Sequence, residues 1–562
     1  MKHLPFIESI SISMKNLLHK FLKNKSAVTW TIVGSILFLG LLLRTLNLNN
    51  NMIFAYDQAR DAQRVYAMIH SHNLKIVGPE TDIPGVFNGP LLYYFLLPLD
   101  FISNFNPNVV ALGFILVNLT GVFFLYSLGT TLFKNKYIGY IAAFLWTISY
   151  AQANFARFIS NASPMSIASL IYFWGFAKYY FDNKKWGLIA AAIGYAIAVQ
   201  MNFYLVYLII FFPLFEVMYQ TKKRAYRWYT YAVATGAVLL SSFLIAELKF
   251  KFSATQAMLA YFERQTTAST VMENVERYIA RIADAWHYSF FSFNLFIGVL
   301  IGIGIISTAI ALHKSKKPIV FLLIWCFSTL PLFGFHSGVL NGTVINSSIF
   351  PAFTLMYAAG IYAIWQQRNY RIIAVGILVV FFISNLQLMA KERFASTKLF
   401  ALQPLTYKVE KDLVDYTYQA SNKKPFSICA VSNPLFINTL WSQLYMTYGK
   451  QQYRYTPTWA GQKQFLNVSY LPYDINHEKI RYLILEPMGG IPEFAKKVTI
   501  YVEDKHSKLI EEKQFGDLIV QKRQLLEPGE EPKSSQTLTP YEIGDVIRVS
   551  TGEPRYSCYV NY

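Results

Sequence analysis

Charge is scarce in this chain. Asp, Glu, Lys and Arg make up 15% of its 562 residues while 54% are hydrophobic, and one soluble core cannot hide that much apolar surface. A soluble globular protein is thereby excluded. Cysteine is rarer still, with three in all, and their spacing suits no metal site. Cys326 lies inside an apolar run. Cys429 and Cys558 fall near the C-terminus, where they read equally as a disulfide of an external domain or as two separate thiols. Acidic residues are outnumbered, 32 against 51 basic, for a formal charge of +19. In a soluble protein that excess would point to nucleic acid, but here the cations sit between apolar runs, where orientation rules place them. No nucleic-acid partner is expected. No internal repeat is visible, and no small-residue cleavage site follows the first apolar run, so the N-terminus reads as an anchor.

The apolar runs are the dominant feature. Val28–Leu46, Val109–Phe133, Phe290–Leu312 and Ile345–Trp365 approach the roughly 20 residues that a helix needs to cross the hydrocarbon core. Tyr137–Tyr150, Ser163–Tyr180, Tyr229–Ala246, Pro318–Phe335 and Ile372–Met389 are read as further spans. Basic clusters at residues 15–25, 134–136, 184–185, 222–227, 314–317 and 368–371 share the cytoplasmic side only if an even number of spans separates each from the next. That parity makes Trp186–Met218 two short spans broken near Gln200–Asn202, and it forbids Pro90–Phe105 from crossing. The latter is expected to be a re-entrant or juxtamembrane helix on the outer side. The expected fold is an α-helical polytopic membrane protein of about eleven transmembrane helices, with its N-terminus, residues 1–27, in the cytoplasm.

The membrane domain spans 28–390, with large outer loops at 47–88 and 247–289. From about Lys391 the long apolar runs stop, and Phe426–Val431, Tyr482–Leu485, Val498–Val502 and Leu518–Val520 read as strands. An extracytoplasmic α/β or α+β domain is expected over 391–527, and a linker and C-terminal tail over 528–562.

The chemistry is expected in the first outer loop. In Tyr56-Asp57-Gln58-Ala59-Arg60-Asp61-Ala62-Gln63-Arg64-Val65-Tyr66-Ala67-Met68-Ile69, Ala62, Val65, Tyr66 and Ile69 recur at helical spacing, which predicts an amphipathic helix on the outer membrane surface. Asp57 and Asp61 lie one turn apart among Arg60 and Arg64. Carboxylates beside fixed cations suit general-base work on a phosphate-bearing substrate. Against this stands a plainer reading, in which Asp57 caps the helix and the alternating charges are ordinary surface pairs.

The run Asp57-Gln58-Ala59-Arg60, followed by Pro90-Leu91-Leu92-Tyr93-Tyr94, resembles the GT-C membrane glycosyltransferases. It is most like the bacterial relatives of protein O-mannosyltransferases and of the lipid A aminoarabinose transferase. Those enzymes commonly carry Asp-Glu-x-Arg, so the resemblance implies Asp57 as catalytic base and Arg60 as a contact for the carrier phosphate. Gln58 departs from that pattern, leaving Asp61 as the candidate second acid. Asn88-Gly89 stand before the proline where some members have a phosphate-binding lysine. Glu247-Leu248-Lys249 resembles the relatives' Glu-Leu-Arg, and Arg157 and Asn202 match outer positions where relatives place active-site polar groups. The plainer readings are that Glu247 and Lys249 cap a helix, that Arg157 reaches toward headgroups, and that Glu273 and Arg277 pair on a loop helix also bearing Arg281 and His287.

The resemblance implies a polyprenyl-phosphate-linked sugar donor lying in membrane lipid, and a protein, lipid or glycan acceptor whose hydroxyl is glycosylated with inversion on the outer face. Some relatives use a divalent cation, which Asp57 and Asp61 alone do not establish. A transporter or flippase of lipid-linked glycans is the rival reading, resting on the polar break at Gln200–Asn202. An oligosaccharyltransferase is less favoured, because no Trp-Trp-Asp motif occurs in the C-terminal part.

Overall fold

The computed structural model describes residues 25–219, 226–265, 270–290, 295–333, 346–394, 405–435, 437–461, 471–474, 478–487, 493–531, 536 and 539. Its first long helix, α1, is Lys25–Thr45. The amphipathic α2 (Tyr56–Ser71) and the apolar α3 (Leu91–Ser103) come before α4 (Pro107–Phe133). The stretch expected not to cross is therefore a helix of 13 residues, about 20 Å long against a hydrocarbon core of about 30 Å. It ends in two left-handed residues, Asn104 and Phe105, and Asn106 then caps α4 by accepting from the Asn108 amide.

Helices α5 (Lys136–Ile148) and α6 (Tyr150–Arg157) are parted by an extended Ser149. Next come α7 (Met165–Asp182) and α8 (Gly187–Met201). These two pack backbone to backbone: a Cβ on Gly175 would sit 2.4 Å from the Ala191 nitrogen, and one on Gly194 would sit 2.3 Å from that of Tyr172. Such small-residue contacts replace the hydrophobic effect as the source of helix association in lipid. The expected break follows. Asn202 is extended, and its side chain caps a 3-10 helix, Phe203–Ile210, that leads into α9 (Phe211–Met218).

Helices α10 (Tyr226–Leu239) and α11 (Ser241–Lys249) are bent by 45° at Leu240. After the helices α12 (Ser253–Gln265) and α13 (Val271–Phe290) come α14 (Leu295–Leu312), α15 (Lys316–Cys326), α16 (Phe350–Gln366) and α17 (Arg371–Lys391).

Among the described residues four helices are long and apolar enough to cross a membrane, or five if the bent pair is one span. The other expected spans are shorter or interrupted helices. Phe38, Val233, Phe296 and Ile372 are all at least 69% exposed, a surface that only lipid tolerates at this density. The chain is a membrane protein.

The C-terminal part is α/β. Strands β1 (Ser427–Val431), β2 (Thr458–Trp459), β3 (Ile480–Leu485), β4 (Ser507–Phe515) and β5 (Leu518–Leu525) form one sheet in the order β2-β1-β3-β5-β4. The first three are parallel, and β5 and β4 add an antiparallel hairpin. Around the sheet lie α18 (Tyr407–Ala420), α19 (Thr439–Leu444) and α20 (Glu493–His506). Val498–Val502, expected as a strand, is part of α20. Ala495, Val498 and Val502 are buried at i, i+3 and i+7, and helical period outweighs β-branching there. Cys429 is buried in β1 and disulfide-bonded, Cys326 is free, and Cys558 lies outside the described residues.

Candidate active site

Helix α2 begins at Tyr56, so Asp57 stands in its first turn, where a carboxylate suits the positive end of the helix dipole. Asp57 is 62% exposed and Asp61, one turn on, only 4%. Arg60 lies between them, with Nη1 2.8 Å from Asp57 and Nη2 2.9 Å from Asp61. The Tyr56 ring is 5.8 Å from the same guanidinium. Burial pushes the Asp61 carboxyl up to about 6, against the opposing pull of Arg60. Tyr93, from α3, is close enough to interact with Asp61 and Arg60, and burial raises its phenol well above the ordinary value.

Gln58 explains its own departure from the family pattern. Its Oε1 accepts from the Ala55 amide at 3.1 Å, and its Nε2 donates to the Ile159 carbonyl at 3.0 Å. A glutamate could make only the first of these bonds. Through the second, α2 is tied to the segment that follows α6. From there Asn161 Nδ2 donates to the Met201 carbonyl at 3.0 Å, and the Phe203 amide donates to Asn88 Oδ1 at 2.9 Å. The segments after α2, α6 and α8 thus meet on one side of the bundle.

Beneath them runs an apolar groove of about 720 Å³ between α3, α4, α7, α8 and the α10/α11 bend, lined among others by Tyr94, Phe124, Ile171, Ile193 and Gln200. At its polar end Gln200 Nε2 donates to the Leu239 carbonyl and to Ser242, supplying a donor where the bend interrupts the helix. Tyr94 donates its hydroxyl to the Lys75 carbonyl at 3.0 Å, which sets Lys75 beside the groove. Burial, and then the charge of nearby Arg64, hold the Lys75 ammonium below its ordinary value. Arg64 is thus near enough for its charge to act on Lys75. Nothing in the spacing marked Lys75, and the Pro90–Tyr94 run that contains Tyr93 assigned that side chain no partner.

The other expected residues fall differently. Arg157 is 1% exposed, and its guanidinium is used on the carbonyls of Leu43 and Arg44 at the end of α1. In this structure it acts as a helix cap. Asn202 is also buried, with its oxygen on the Tyr204 amide. Glu247, in α11, accepts from Thr255 at 2.8 Å and lines a separate cavity of about 250 Å³ with Phe87, Phe203 and Phe243. The Lys249 ammonium lies 5.7 Å from the Phe250 ring. Glu273 and Arg277 pair at 3.6 Å on α13, while the side chains of Arg281 and His287 lie outside those described.

No protein-family model matches the sequence, and no curated protein does. Solved structures do. ArnT from Cupriavidus metallidurans, bound to undecaprenyl phosphate, superposes with a TM-score of 0.53 at 10% identity, over 89% of this chain and 98% of that one. The apo oligosaccharyltransferase of Archaeoglobus fulgidus gives 0.46 at 14% identity, over 78% of this chain, which spans 66% of that protein's length. The mycobacterial arabinofuranosyltransferase AftD gives 0.43 at 13%, over 70% of this chain and 29% of its own. The ArnT superposition carries the assignment by itself: the chain has the fold of the GT-C membrane glycosyltransferases.

Proposed function

We propose that this protein transfers a sugar from a polyprenyl-phosphate carrier to an acceptor hydroxyl on the outer face of the membrane. The observation that carries the reading is the exposed, ion-paired Asp57 at the end of a surface helix whose neighbour α3 walls a lipid-sized groove. The ArnT structure holds undecaprenyl phosphate, a ligand of the same chemistry. The proposed topology has about eleven crossings, a cytoplasmic N-terminus, and an extracytoplasmic C-terminal domain beginning near Lys391.

The isoprenoid tail lies in the groove, and the phosphate sits at its outer end near Arg64 and Lys75, with Arg60 held by the carboxylates. Asp57 takes the proton of the acceptor hydroxyl as that oxygen bonds to the anomeric carbon. The bond from that carbon to the phosphate oxygen breaks, its electron pair stays with the phosphate, and the configuration inverts. The departing phosphomonoester is stabilised by the fixed cations, which replaces a general acid. Asp57 and Asp61 share Arg60, and among the described residues no three His, Cys, Asp or Glu side chains gather as metal ligands, so no step is routed through a divalent cation. Glu247 and Lys249 are proposed to face the acceptor.

The test is turnover in lipid nanodiscs supplied with polyprenyl-phosphate sugars, read as release of polyprenyl phosphate. Release with none of them, together with movement of lipid-linked glycan across the bilayer, would establish the transporter reading instead. Ile193→Trp intrudes on the groove wall. It is expected to raise the Kd for polyprenyl phosphate about tenfold, equivalent to losing roughly two buried methylenes at ~0.8 kcal/mol each; an unchanged Kd places the tail elsewhere.

Asp61 gives a pH dependence. Its folded carboxyl keeps a proton up to about pH 6, whereas an unfolded one releases it near 3.9. Its contribution to stability is therefore greatest in acid and is lost as pH rises through 6. Turnover moves the other way. A protonated Asp61 leaves the Arg60 guanidinium to Asp57 alone, which holds that carboxylate away from the acceptor hydroxyl. A rate that falls below about pH 6 is expected, and Asp61→Asn should flatten that limb.

A further inference from the structure

Helix α2 is gripped from the C-terminal domain at two points. Just before it, Met52–Phe54 run antiparallel to Leu405–Tyr407: the Tyr407 amide donates to the Met52 carbonyl at 2.8 Å, and the Phe54 amide donates to the Leu405 carbonyl at 3.3 Å. The Phe54 ring meets Tyr407 edge-on at 5.8 Å. Farther along, the fully buried Gln63 donates from Nε2 to the Thr439 carbonyl at 2.9 Å, at the start of α19. That short helix is itself fastened to the sheet. Trp441 Nε1 donates to Glu486 Oε1 at 2.8 Å, and the other oxygen of Glu486 accepts from the Asn433 amide at 2.9 Å. Phe54 and Ala59 belong to the core of this domain, while Ala62, Val65 and Met68 pack into the cluster shared with α3 and α4. Asp57 therefore lies between anchor points at 54 and 63, both supplied by the domain that follows the last membrane helix.

We propose that the C-terminal domain is a clamp that fixes the base-bearing helix, with Gln63 as a positioning residue acting through Thr439. The proposal rests on Asp57 being the base. A rotation of α2 by a few degrees would carry the Asp57 carboxylate off the line to the acceptor hydroxyl, and a misplacement of about 1 Å at a reacting centre can cost about a hundredfold in rate. Removing the grip should consequently lower kcat while leaving the groove and its lipid untouched.

The experiment uses the full-length protein in nanodiscs and compares Gln63→Leu, Gln63→Glu and Asp57→Asn. Gln63→Leu is expected to lower kcat by about tenfold to a hundredfold, with donor KM and the Kd for polyprenyl phosphate within twofold of the parent. Gln63→Glu keeps the shape and covers the case in which the leucine variant does not fold. Its carboxylate repels the Thr439 carbonyl when ionised and donates to it when protonated, so its kcat relative to the parent should recover as pH falls. A purely structural role would not produce that pH dependence. Parental kcat in both Gln63 variants, or a change confined to acceptor KM, would overturn the clamp while an inactive Asp57→Asn left the base in place. An active Asp57→Asn would instead remove the base, and the clamp proposal with it.

Discussion

Asp57→Asn is expected to lower sugar release from polyprenyl phosphate by about 10² to 10⁴-fold, the usual contribution of a positioned general base, with the Kd for the carrier unchanged within a factor of two. Asparagine keeps the shape, and its oxygen can still accept from Arg60 Nη1, which lies 2.8 Å from the aspartate. What it loses is the ability to hold a proton. The acceptor hydroxyl must then attack without surrendering its proton to the protein, and the barrier rises by about 1.4 kcal/mol for every tenfold of rate. Single-turnover measurements with the sugar-loaded carrier separate this from a binding defect, because only the chemical step should slow. Parental turnover in Asp57→Asn would remove that carboxylate from the mechanism and leave Arg60 as an ordinary i,i+3 partner on a surface helix. Asp61→Asn should cost far less at neutral pH, since that buried side chain acts on Asp57 only through the shared guanidinium.

The amphipathic period of residues 56–69 was legible because it is a local property, and the interruption at Asn202 because charge parity required a break in Trp186–Met218 and polar Gln200 and Asn202 mark where it falls. Apolar spacing sets a helix face, and a polar residue in a short span needs a backbone break to cap. The expectation that Pro90–Phe105 does not cross came from charge parity, and the stretch is a helix of 13 residues. Less legible was anything decided by long-range packing. Strand β4, Ser507–Phe515, hides behind Lys508, Glu511, Glu512 and Lys513, because an exposed edge strand carries charge to discourage further pairing. Helix α20 contains a β-branched run that reads as a strand until its buried face is known. At the site, the sequence marks Asp57, Arg60 and Asp61 by their spacing and Tyr93 by the Pro90–Tyr94 run, but Lys75 and Gln63 reach it by tertiary contacts that no local pattern encodes. Arg157 is the opposite case, a cation expected at an outer position whose partners are backbone carbonyls more than a hundred residues earlier.

Arg157→Ala is therefore expected to act on stability and leave carrier binding alone. The last carbonyls of α1 have no donors within their own helix, and the Arg157 guanidinium supplies them: Nε donates to the Arg44 carbonyl at 2.8 Å and Nη2 to that of Leu43. Arg44 does the same for α5. Its Nη1 and Nη2 donate to the carbonyls of Thr147 and Trp146 at 3.0 and 3.2 Å, and its Nε donates to Asn118 at 3.0 Å. The two helix ends are thus capped by one another's neighbourhood, and both caps are inaccessible to water. Alanine at 157 removes two charge-assisted bonds worth about 1.5–3 kcal/mol each and strands two buried acceptors, for an expected loss of about 3–5 kcal/mol. Thermal unfolding followed by size-exclusion chromatography in detergent should show the drop, and Arg157→Lys should recover part of it, since a single ammonium can reach one carbonyl but lacks the fork that serves both. The Kd for polyprenyl phosphate, measured on the protein that remains folded, should match the parent. A variant that stays as stable as the parent but binds the carrier at least tenfold more weakly would show that this guanidinium serves the phosphate after all.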